Sequence, residues 1–196
     1  MPHRYFILNK PANMVSQFVS SDKVNLLSQI DFSFPEGTHA IGRLDKDSEG
    51  LLLLTTDKKI TRLIFSKEKK HMRTYLVMVR NYVNEETFQL LKSGVVIKIK
   101  NGQDYLAKTH SLSRIADPVS LYPLSADFRE AYPHTWLLIS LTEGKYHQVR
   151  KMTLTLRYRC LRLIRLSIEN LTIDGIGPGK VKELNMETFY RLAGLK

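Results

Sequence analysis

With 196 residues and a formal charge of +11 at pH 7, the chain has room for one filled core or two small lobes, and its charge favours a polyanionic partner. A single cysteine, Cys160, excludes an intramolecular disulfide and a multi-cysteine zinc site, and no apolar run reaches the roughly 20 residues that span a bilayer. The first ten residues include Pro2, His3, Arg4 and Asn9 and do not resemble a cleavable leader, so a cytoplasmic protein without a membrane partner is expected.

Taken in chain order, "RYFILNK" (Arg4–Lys10) reads as a buried strand. Ser21 or Asp22 can cap a helix with Val24, Leu27 and Ile30 on one face. "GLLLLT" is the right length for a buried strand, and Asp57 after it is placed to cap a helix that turns Ile60, Leu63 and Ile64 inward. "RTYLVMV" (Arg73–Val79) has the β-branched and aromatic content of a strand. Asn84 caps "EETFQLLKSG", with Val83 and Phe88 spaced as a hydrophobic staple and Gly94 as the stop. Strands are expected at Val95–Lys100 and Asp104–Ser113, joined by a turn at Asn101-Gly102.

The segment Arg114–His134, with Pro118, Pro123 and Pro133, reads as a long irregular loop. "TWLLISLTEG" returns to strand and leads into "KYHQVRKMTLTL". The spacing there predicts a helix with Tyr146, Val149, Thr153 and Leu156 on one face and His147, Arg150 and Lys151 on another. In "CLRLIRLSIENLTI", Cys160 is expected to be a small buried residue, while Arg162 and Arg165 should alternate onto the face away from the core. Asn185 can cap a last short helix. Sequential strands joined by turns, with helices interspersed and no regular βαβ rhythm, predict an α+β fold with a mainly antiparallel sheet and flanking helices: a single domain spanning residues 1–196, of one lobe or two.

Charge is unevenly spread. Residues 1–57 carry five Lys or Arg and seven Asp or Glu, whereas Lys58–Arg80 carries eight basic residues and one acid, and Lys145–Arg165 seven and none. No basic amphipathic segment stands apart from core-like sequence, so nucleic acid is favoured over a membrane surface. Against that background "IGRLDKDSEGLLLLTTD" places a carboxylate, Asp45, beside Arg43 and just ahead of the most apolar run. An aspartate in such a loop usually pairs with a neighbouring cation. Here Gly42 permits a tight backbone path, Ser48 and Gly50 shape the exit, and Leu51–Leu54 tie the loop to the core, which would hold the carboxylate ready to act on a bound group.

"GRLDKDSEGLLLLTTD" resembles the catalytic-loop motif of RNA pseudouridine synthases, in the branch that modifies ribosomal RNA. "YFILNKP" resembles that branch's first motif, "RTYLVMV" its tyrosine-bearing strand, and "EGKYHQVRKM" followed by "LRLIRLSI" its third motif, all in order over nearly the whole chain. The resemblance implies a pseudouridine synthase catalytic fold, with Asp45 catalytic, Tyr75 stacking on the target base, Arg150 the basic partner of the aspartate, and Arg43 helping to hold the extruded nucleotide. Lys145, Lys151, Arg157 and Arg159 are assigned phosphate contacts. The first motif begins at Tyr5, so the N-terminal S4-type RNA-binding domain carried by most members of the branch is expected to be absent. Ser48 stands where the family's loop usually has threonine, and "KPANMVS" lacks the glycine common after the first-motif proline.

The implied partner is ribosomal RNA, of the large subunit, acted on by a monomer with no cofactor and no metal. Two rivals of other classes are a noncatalytic RNA-binding or ribosome-assembly protein and a metal-dependent nuclease. An intact set of Asp45, Tyr75 and Arg150 speaks against the first, because binding alone needs no carboxylate facing a polyanion. The second lacks a persuasive second acidic ligand.

Overall fold

The computed structural model describes residues 2–64, 70–124 and 132–195. Residues 65–69 of the basic segment and 125–131 of the proline-bearing loop lie outside the described residues. The elements are β1 (Tyr5–Lys10), β2 (His39–Ile41), β3 (Glu49–Thr55), α1 (Ile60–Ile64), β4 (Arg73–Arg80), α2 (Glu85–Ser93), β5 (Val95–Lys98), β6 (Asp104–Ala107), β7 (Ser111–Ile115), β8 (His134–Leu141), α3 (Gln148–Thr155), β9 (Cys160–Ile168), β10 (Leu171–Thr172), β11 (Val181–Leu184) and α4 (Met186–Leu192). They group into two compact units, one of Met1–His71 with Ile164–Lys196 and one of Met72–Leu163. The β1–β3, β1–β11, β2–β3, β5–β6, β4–β8 and β7–β8 pairs are antiparallel and β3 meets β9 in parallel, which is the α+β, mainly antiparallel architecture expected.

In the first unit β1 lies between β11 and β3. Both faces of the β1–β3 pair are covered, which is why "LLLL" does not alternate. On one face Phe6, Leu8, Leu52 and Leu54 pack with Met14, Leu27, Ile30 and Leu44. On the other, the Tyr5 ring stacks on Phe189 of α4 with centroids 4.7 Å apart. α4 is capped as read, Asn185 accepting from the Thr188 amide. The segment after Ser21 differs from expectation. It forms only a 3₁₀ turn at Leu27–Gln29, because its backbone is bonded to residues 14–17 instead: Val15 N donates to Asn25 O and Leu27 N to Gln17 O. Leu27 and Ile30 are nevertheless buried. Asp57 accepts from the Lys59 amide ahead of α1, and Ile60 and Ile64 are buried, but Leu63 faces solvent.

The second unit has its sheet in the order β9-β4-β8-β7, with residues 160–163 of β9. α2 follows the sequence reading closely: Asn84 accepts from the Thr87 amide, Val83 and Phe88 join one core cluster, and Gly94 ends the helix at φ 122°. The run Asp104–Ser113 is two strands rather than one. Through Ala107 it pairs with β5, and from Ser111 it pairs with β8, so the chain changes partner at residues 108–110. The long loop is shorter than expected, since β7 continues to Ile115 and Pro118–Ser120 forms a 3₁₀ turn.

Two residues set the geometry of the β2–β3 connection in the first unit. β1 covers one edge of β3, and the other edge is shared by β2 at residues 53–55 and β9 at residues 49–50. Gly50 pairs with Arg165 there at φ 95°, and a Cβ added to it would lie 2.3 Å from the Arg165 carbonyl oxygen. Opposite Gly50 in the β1 register stands Lys10, fully buried, whose ammonium donates to the carbonyls of Pro11 (2.8 Å), Met14 (2.7 Å) and Lys46 (3.3 Å). Burial pushes this ammonium down to about 8, while the carboxylates of Glu49, Asp45 and Asp47 pull the other way.

Gly50→Ala combines left-handed strain with a backbone clash, and should cost about 3 kcal/mol or more, lowering the melting temperature by roughly 6–12 °C in thermal denaturation. Lys10→Met strands three carbonyls and uncovers three carboxylates, for an expected loss of about 3–5 kcal/mol at pH 7. Because the folded state holds the Lys10 proton more weakly than the unfolded chain, with about 8 against 10.5, wild type gains stability relative to Lys10→Met as pH rises from 8 to 10.5. Melting curves of both proteins across that window check this, and a constant difference would contradict it.

Candidate active site

The carboxylate singled out in the sequence sits on the connection between β2 and β3, which starts at Gly42 with φ 74°. The loop is fastened at its third residue. Leu44 is buried in the core, its amide donates to Ser16 Oγ (3.0 Å), and Ser16 Oγ donates back to its carbonyl (2.9 Å). Arg43 and Asp45 flank this clamped residue, so the chain path on both sides is determined. Arg43 is exposed and Asp45 half-buried. The Asp45 carbonyl accepts from Ser48 N and the Lys46 carbonyl from Met14 N, which closes the turn. Lys10 reaches Lys46 from below.

The loop's charges form one set. Asp45, Asp47 and Glu49 act electrostatically on the Lys10 ammonium from one sign, and Arg165 acts from the other. Arg165 is the correction to the expected alternation of β9. Its side chain is buried instead of facing outward, and its Nε donates to Leu51 O at 2.8 Å. The backbone on both sides of Asp45 is fixed by the bonds of Leu44 and Ser48. Among the described residues no three His, Cys, Asp or Glu side chains are arranged to hold a metal ion.

Four of these residues, Lys10, Ser16, Leu44 and Arg165, carry the loop and were not recognisable as such beforehand. The only sequence signal was a lysine ending an otherwise buried strand.

The second unit holds the other named residues. Tyr75 lies on β4 opposite Ile139, is 9% exposed, and belongs to the core cluster that includes Val149, Met152 and Cys160. Arg150 lies on α3, half-buried and near enough to Cys160 to act electrostatically on its thiol. Burial dominates there and raises the thiol to about 11, so Cys160 is the inert core residue expected. Lys145 is exposed with its ammonium 4.9 Å from the Tyr105 ring centroid, and Lys151 donates to Lys98 O. Lys145, Arg150 and Lys151 therefore gather at the start of α3. Arg157 and Arg159 are exposed beyond its other end, about 12 Å along the axis at 1.5 Å per residue.

α3 begins two residues later than the apolar spacing predicts. His147 adopts a left-handed conformation (φ 54°, ψ 29°), so Tyr146 leaves the helical face, is 69% exposed, and stacks on His147 at 3.8 Å. Buried Gln148 fixes this entry: its Oε1 accepts from the Lys145 amide, and its Nε2 donates to Glu143. Glu143 also accepts from the Tyr105 hydroxyl, which raises that phenol to about 12. Gln148 is a further supporting residue that no composition signal marks.

Comparison with known proteins supplies the context for this arrangement. Residues 4–155 match the family model described as RNA pseudouridylate synthase. Ribosomal large subunit pseudouridine synthase E of Vibrio vulnificus is 35% identical over 185 residues, covering 93% of this chain and 76% of that one. The protein of the same name from Xanthomonas axonopodis pv. citri is 34% identical, covering 88% of this chain and 89% of its own. Ribosomal small subunit pseudouridine synthase A of Escherichia coli is 29% identical over 94% of this chain and 71% of its own. Among solved structures, a crystal structure of a pseudouridylate synthase superposes with a TM-score of 0.74 at 27% identity, over 97% of this chain and 74% of that chain. With the family model spanning most of the chain and relatives above 30% identity matched over most of their length, the chain belongs to the RNA pseudouridine synthases and is an isomerase.

Proposed function

We propose that this protein converts a uridine of ribosomal RNA, in the large subunit, to pseudouridine, acting as a cytoplasmic monomer with Asp45 as the catalytic residue. The observation that carries the reading is the clamped loop: Leu44 is bonded on both its amide and its carbonyl, and Asp45 follows it directly. The names of relatives matched over most of their length, ribosomal large subunit pseudouridine synthase E, support the RNA and the subunit. The small-subunit name carried by a more distant relative sets the alternative substrate.

The reaction breaks the N1–C1′ bond of uridine and forms a C5–C1′ bond. The C5 proton leaves and N1 gains one, so atoms and electrons balance without an oxidant, a reductant or a water. It needs an ionised carboxylate at the sugar, whether as nucleophile or as base, and a site that retains the detached uracil. Asp45 supplies the carboxylate. Tyr75 offers a ring for the uracil and Arg150 an active-site cation. Arg43 offsets the cost of extruding the nucleotide, and Lys145, Lys151, Arg157 and Arg159 take backbone phosphates. No cofactor and no metal enters this scheme.

Unmodified large-subunit and small-subunit ribosomal RNA transcripts, incubated separately with the protein and mapped for pseudouridine, test the reading. Wild type should create a site in the large-subunit RNA. Asp45→Asn should lose at least about 10³-fold in rate while binding the RNA as wild type does. A site only in the small-subunit RNA would reassign the substrate, and RNA binding without product would favour a noncatalytic assembly protein. Affinity should fall steeply with salt, at a slope of about −0.7 to −0.9 per phosphate contact on a log–log plot. A flat response between low and physiological salt would contradict the phosphate assignments.

A further inference from the structure

Within the second unit, a groove of about 370 Å³ opens at the end of β4 and β8 remote from Tyr75. Val83, Ile115 and Trp136 give it apolar walls, Tyr82 and His134 stand at its rim, and among its described lining residues none is acidic. Tyr82 is 76% exposed, on a turn that is anything but loose. Asn81 N donates to Pro133 O (2.6 Å), Thr135 Oγ1 donates to Asn81 O (3.0 Å), and Val83 N donates to Thr135 Oγ1 (2.8 Å). Asn81 takes a left-handed conformation, φ 72°, to make this turn. Tyr132, 57% exposed, stands just ahead of β8, with the Arg80 guanidinium 5.1 Å from its ring centroid.

Exposed Arg159 accepts at its carbonyl from the Arg80 amide, so two guanidinium-bearing residues are joined through their backbones at this end of the sheet. Arg114, by contrast, is engaged in the groove wall, paired with Glu85 and lying over Phe88. Two tyrosines thus stand more than half exposed on this end of the sheet, one of them against the Arg80 guanidinium. Such a display suits a surface that stacks unpaired bases and neutralises their phosphates.

We infer that this groove binds an unpaired segment of the RNA that carries the target uridine, with Tyr82 and Tyr132 as stacking rings and Arg80 and Arg159 on the backbone. The inference rests on the reading that the chain acts on RNA. Arg80 is five residues from Tyr75 along β4, about 17 Å at 3.3 Å per residue, or roughly five stacked nucleotides. The groove is thus a second contact outside the target nucleotide.

Trp136, the chain's one tryptophan, lines the groove and serves as a built-in reporter. The probe is a fluorescein-labelled uridine dodecamer, followed by anisotropy and by Trp136 emission, with a blunt RNA duplex of equal length as control. The double variant Tyr82→Ala/Tyr132→Ala should bind the dodecamer at least about tenfold more weakly, and lose the emission change that wild type shows. It should bind the duplex within about twofold of wild type, and Tyr82→Phe/Tyr132→Phe should bind the dodecamer within about twofold. On ribosomal transcripts the alanine pair should raise KM and leave kcat unchanged. Equal dodecamer affinity of wild type and alanine pair, an equal loss in the phenylalanine pair, or unchanged Trp136 emission at saturation each overturns the inference. If wild type makes no pseudouridine but the dodecamer results hold, the catalytic reading fails and the groove stands.

Discussion

A buried ammonium organises the first unit. Lys10 ends a strand in which every residue is buried, and three backbone carbonyls plus the carboxylates of a neighbouring loop gather around it. Taking such a charge out of water is expensive, and only a closely fitted shell of oxygens offsets the cost. That requirement constrains the rest. The 42–48 connection must bring its Lys46 carbonyl within reach, and the turn after Pro11 must fold back over the side chain. The backbone position of Asp45 is a consequence of satisfying Lys10 and Leu44.

Much of the fold was readable because its elements carry local instructions. Asn84 and Asn185 cap helices, Gly94 stops one, and the leucine run forms a strand covered on both faces. Two of the departures share a cause, which is competition from distant backbone. The segment around Asn25 has a helical pattern, yet its amides and carbonyls are taken by residues 14–17. Asp104–Ser113 has a continuous strand pattern but divides between two partners. Leu63 has the right period and still faces outward. Periodicity reports what a segment can do, and tertiary bonding decides among the options.

The proposed site residues carry sequence signals, and the residues that support them do not. Asp45, Tyr75 and Arg150 are proposed because a set of ordered motifs marks them. Ser16, Gln148 and Arg165 act through hydrogen bonds to backbone or neighbouring side chains, and a serine, a glutamine and an arginine in ordinary context carry no signal of that. Arg165 also shows the limit of strand alternation, since its guanidinium is turned inward onto the Leu51 carbonyl.

The parallel contact of Gly50 with Arg165 joins positions far apart in the chain, and β1 likewise waits for β11 to cover its other edge. The first unit is therefore assembled from the two ends of the polypeptide, whereas the second is one uninterrupted stretch. During synthesis the ribosome releases the second unit whole before it has released the strands that complete the first. Residues 42–50 leave the ribosome early but have no finished framework until Ile164 and the residues after it follow, and loop closure over more than a hundred residues makes this the slower unit to form.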